Sequence, residues 1–64
     1  MIVDTSPGAV VIRDAEAILD ISNELTLTPA QALLIAARLD SAGQHTVAAE
    51  GLRRAAHQAL AEQN

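Results

Sequence analysis

TPAQALLIAARLDSA, from Thr28 to Ala42 and followed by Gly43, predicts a helix with a signal at each end. Thr28 suits the N-cap, Pro29 the first helical position, and Gln31 the place from which a capping-box side chain reaches back to the cap amide. Gly43 can take the left-handed conformation that closes a helix. At about 100° per residue, Ala32, Ile35, Ala36, Leu39 and Ala42 make one stripe with Leu33 at its edge, and that stripe is a core face.

On the carboxyl side, the short link Gly43-Gln44-His45 makes a further helix the neighbour of this one, in an αα-hairpin. That helix is expected over residues 46–61, with Ala48, Ala49, Leu52, Ala55, Ala56, Ala59 and Leu60 on its apolar face. Gly51 lies off the stripe and costs about 1 kcal/mol relative to Ala. It is either a tolerated weakness or a place where a partner's backbone comes close.

On the amino side, proline at position 29 disfavours helical geometry just before it, so Leu25-Thr26-Leu27 reads as a connection. A helix is expected over residues 14–25, with Val11, Ala15, Ile18, Leu19, Ser22 and Leu25 on one face. The first twelve residues admit two readings. Ser6-Pro7-Gly8-Ala9 carries Pro and Gly at the centre of a type II turn between Ile2-Val3 and Val10-Val11-Ile12, which would make a short hairpin. Alternatively Ser6 caps a forward extension of the helix, against the preference of three β-branched residues and Gly8. The expected class is therefore mainly α: one small helical domain, an αα-hairpin plus a preceding helix, with a short N-terminal strand or hairpin as an option for residues 1–12.

The chain has 64 residues, no Cys, no aromatic residue, no Lys, and a net charge of −4. So short a chain buries only about 60% of its unfolded surface. Disulfides are unavailable, and two histidines cannot close a structural metal site, so oligomerisation is the remaining support. Leu34 points almost opposite the Ile35–Leu39 stripe, Val47 lies on the far side of its helix, and Ile21 and Ile12 flank the face of the first. Together Leu34, Val47, Ile21 and Ile12 predict a homodimer interface. The acidic charge argues against nonspecific binding to nucleic-acid phosphates, and the missing aromatics remove stacking anchors for a base or flat cofactor. No run approaches the ~20 apolar residues of a membrane span, and the first residues lack a secretory pattern, so a cytoplasmic chain is expected.

Three side-chain groups invite functional readings. Glu16, Asp20 and Glu24 recur every four residues and would form an acidic ridge for a basic protein partner, or simply a solvated face. Arg53 and Arg54, with Arg38 on the preceding helix, could contact DNA, yet Glu50 is spaced to pair with both Arg53 and Arg54. His45 and His57 are twelve apart, which is not the spacing of a metal pair on one helix. Ser6, Ser22 and Ser41 lack a nucleophile motif, and neither catalytic residues nor a cofactor are expected. The function expected is a non-enzymatic protein-interaction or adaptor protein of the phage-type accessory or inhibitor kind, with a DNA-binding regulator or antitoxin-like protein as the alternative.

Overall fold

The structure, a computed structural model, describes residues 1–16 and 23–63. It is an α+β fold rather than a mainly α one: among the described residues a three-stranded antiparallel sheet carries two long helices. The strands are β1 (Ile2–Ser6), β2 (Ala9–Arg13) and β3 (Leu25–Leu27), in spatial order β1-β2-β3. The helices are α1 (Pro29–Ala42) and α2 (Thr46–Glu62).

The correction to the expected fold begins at Pro7-Gly8. Ser6 pairs with Ala9, Thr5 with Val10, Val3 with Ile12 and Ile2 with Arg13, so Pro7 and Gly8 are the two loop residues of a tight hairpin. Gly8 sits at φ 75°, as the second central residue of a type II turn requires, where other residues are strained. With that turn in place, the β-branched run Val10-Val11-Ile12 takes the extended geometry it prefers. Leu25-Thr26-Leu27 then pairs with β2, Leu27 opposite Val10 and Leu25 opposite Ile12, so it is a strand and not merely a link. The helix expected over residues 14–25 is accordingly too long at both ends, since the first helical residue is Glu16 and Leu25 belongs to a strand. Asp14 has a left-handed φ of 53° just after β2, and Leu25 opens β3. The middle of that expectation, residues 17–22, lies outside the described residues.

Pairing across the sheet sorts its faces. Val3, Thr5, Val10, Ile12, Leu25 and Leu27 point toward the helices, while Ile2, Asp4, Val11, Arg13 and Thr26 point away. Val10 and Ile12 are fully buried and, with Leu52 of α2, are the largest side chains sealed in the core. Each contributes about 1.5–3 kcal/mol by burial. Ala15, Leu27 of β3, Ala32, Ala36 and Leu39 of α1, and Ala49, Ala55, Ala56 and Ala59 of α2 complete the core among the described residues. Small alanine side chains let α2 lie close over β1 and β2, while α1 covers β2 and β3. Toward its carboxyl end α2 meets the hairpin turn, where the Gly8 amide donates to the Ala59 carbonyl at 3.1 Å.

Both signals at the ends of α1 act in the structure. The Gln31 amide donates to Thr28 Oγ1 at 3.2 Å, and the Thr28 amide to Gln31 Oε1 at 2.9 Å, a complete capping box. Gly43, at φ 71°, ends the helix and donates its amide to the Asp40 carbonyl. The start of α2 is different: His45 takes the cap position in left-handed geometry, φ 56° and ψ 41°, with no side-chain cap bond.

Candidate interaction surface

Because α2 runs along the hairpin in the direction of β1, its first turns stand above the start of the sheet's edge strand. There Met1 and Val3 from the strand side, His45 from the helix link, and Val47, Ala48 and Gly51 from α2 enclose an open groove of about 370 Å³. No residue of α1, β2 or β3 lines it, which places it on the side of α2 away from α1. Its lining is mostly apolar, with His45 the one polar side chain, and Val47 is 84% exposed. A Cβ on Gly51 would meet nothing within 4 Å, so the groove is open at that point.

Alongside the groove runs the free edge of β1. Among the described residues no strand pairs with its outer side. In a two-residue hairpin the pair flanking the loop, here Ser6 and Ala9, exchanges hydrogen bonds, and such pairs alternate along an antiparallel ladder. Asp4 and Ile2 therefore bond inward to β2, while Val3 and Thr5 aim their N–H and C=O groups outward. Native edge strands are commonly guarded by Lys, Pro or a bulge, and β1, IVDTS, has none of these. Its one charge, Asp4, is paired with Arg13 of the same hairpin.

The four residues expected at a dimer interface are dispersed. Val47 lines the groove. Leu34 is 54% exposed on α1 but is not part of the groove, so the two do not form one surface. Ile12 is 0% exposed and belongs to this chain's own core, because it faces inward from β2 rather than flanking a helix; its assignment to an interface is corrected. Ile21 lies outside the described residues. For Gly51 a partner's close approach is one of the two readings of the sequence, whereas the sequence does not point to Met1, Val3 and Ala48 as surface residues of one site, since only the strand geometry of β1 brings Val3 beneath α2.

The acidic ridge does not form as a single helical row. Glu16 and Glu24 are exposed, but Glu24 precedes β3 outside any helix, and Asp20 lies outside the described residues. The arginines proposed for DNA are partly engaged. Arg53 bonds Asp40 of α1, tying the two helices together, and Arg54 bonds Glu50 one turn earlier at 3.1 Å. Arg38 is exposed on α1. His57 is exposed on α2, apart from His45, and among the described residues no three metal-ligating side chains converge. Among those residues no helix is long and apolar enough to cross a membrane. No protein-family model, curated protein or solved structure matches this chain.

Proposed function

We propose that this chain is a small non-enzymatic protein-interaction or adaptor protein of the accessory or inhibitor kind, acting in the cytoplasm as a homo-oligomer. The observation that carries it is the apolar groove between β1 and α2, with the exposed Val47 at its rim and a bare strand edge beside it. Protein partners are recognised by burying such apolar area and by completing such an edge. The DNA-binding alternative gains nothing comparable: Arg53 and Arg54 already share their charge with Asp40 and Glu50, in a chain of net charge −4.

Two measurements test this reading. Light scattering on the purified chain is expected to give a mass above the 6.7 kDa monomer as concentration rises. Immobilised chain is expected to retain a protein from host lysate. A monomer mass at every concentration would remove the homo-oligomer, and a chain that retains no host protein would remove the adaptor reading.

A further inference from the structure

We propose that the open edge of β1 pairs antiparallel with β1 of a second copy about a twofold axis through Val3, joining the two sheets into one of six strands. This rests on the homo-oligomer reading above and specifies its surface and register. Water can satisfy the outward N–H and C=O groups of Val3 and Thr5 one by one, but another extended backbone matches both residues' groups in a single row, so a strand is the protein element that fits this edge. Of the strands the chain itself can offer, β1 is the one with a free edge of five residues, about 17 Å long.

Charge and hydrogen-bond parity select the register. A twofold axis at Asp4 would set Asp4 directly opposite its own copy on the sheet face away from the helices, a like-charge pair that destabilises a ladder. An axis at Thr5 would place Val3 opposite Pro7, which has no N–H to donate. An axis at Val3 avoids both faults. Val3 faces Val3 of the second copy, Met1 faces Thr5, and Ile2 faces Asp4, with the bonding positions those that already point outward.

The same axis aligns the helices. In this arrangement both helical layers lie on one side of the joined sheet, and the two α2 helices run antiparallel across the axis. Val3 lies beneath the first turns of α2, so the axis brings Val47 and Gly51 of one copy toward the same residues of the other. The groove is the space between these helices, and the empty surroundings of Gly51 permit their approach. The face available is bounded by the ~26 Å length of α2 and the 15 Å thickness of the molecule. Two such faces bury on the order of 800 Å², below the ~1,200 Å² of standard stable interfaces, so the dimer is reversible.

Sedimentation equilibrium of the full chain between about 10 μM and 1 mM is expected to show a monomer–dimer equilibrium. Thr5→Pro removes an outward N–H that β2 does not use, and is expected to weaken the dimer at least tenfold while circular dichroism retains the native spectrum. Val47→Glu, at a position too exposed to affect folding, is expected to do the same by placing charge in the joint. A dimer of unchanged strength in Val47→Glu, or in a folded Thr5→Pro, overturns the β1 interface while leaving homo-oligomerisation in place. A chain that stays monomeric throughout overturns both.

Discussion

Gly51→Ala should stabilise this protein, and the same substitution at Gly43 should destabilise it. Gly51 is in the middle of α2, without a left-handed φ and with no atom within 4 Å of where a Cβ would stand. The added methyl group therefore meets no steric resistance, and the backbone loses less freedom on folding. Helix propensity then sets the magnitude at about 0.8–1.0 kcal/mol in favour of Ala. For a domain of this size that is a rise in melting temperature of roughly 4–8 °C. Gly43 also has open space around it, but its φ of 71° puts a Cβ against the following carbonyl, at a cost of about 1–2 kcal/mol. Space is equal at the two positions and backbone conformation is not, so the pair isolates one variable. The assay is thermal and urea unfolding by far-ultraviolet circular dichroism in dilute solution, where self-association is absent. If Gly51→Ala lowers the midpoint, or both variants move it in the same direction, the placement of Gly51 on an open helical face is wrong.

Leu52→Ala removes the largest side chain that α2 buries completely and is expected to cost about 2–5 kcal/mol, enough to leave a chain of this size partly unfolded. A loss under about 1 kcal/mol in urea unfolding would contradict its central position. Asp4→Asn breaks an ion pair whose partners are both about half exposed, so the expected loss is under about 1 kcal/mol and vanishes in molar salt. A loss that salt leaves unchanged would count against an exposed pair.

What could be read from the sequence was what depends on neighbours in the chain. Thr28, Pro29, Gln31 and Gly43 mark the ends of α1 because caps and closing turns are formed within a few residues. The alanine-rich stripe of α2 is legible because a 3.6-residue period repeats over 17 residues. Its start is less so, because His45 adopts a left-handed geometry without a capping side chain. Strand β2 was ambiguous for a physical reason: Val11, Ala15 and Ile18 satisfy a helical period, while Val10-Val11-Ile12 has no alternation of apolar and polar residues. Pairing with Val3 and Thr5 across the Pro7-Gly8 turn resolves it in favour of a strand. Strand β3 could not be recognised alone, because three residues gain extended structure only from the ladder with β2, whose residues lie more than ten positions away.

The sheet also changes why a second copy is expected. From sequence, the case lay in apolar side chains without a seat in one small core. Ile12 has such a seat, and the chain leaves 3984 Å² accessible, close to the ~3,900 Å² expected of a compact monomer of 6.7 kDa. Total exposed area is therefore no sign of a missing partner, and the apolar drive to associate comes from the side chains that stay exposed, Ile2, Leu34, Val47 and Leu60. Strand β1 supplies a different one, because a sheet of three strands has two ends, and its β1 end carries backbone groups that no side chain of the hairpin covers. Hydrophobic burial at Val47 adds to that pairing but does not dictate its geometry. In the proposed pairing direction comes from the backbone, and register from the backbone together with the charge of Asp4, so a proline at Thr5 is a sharper probe of the interface than any change of apolar side chain.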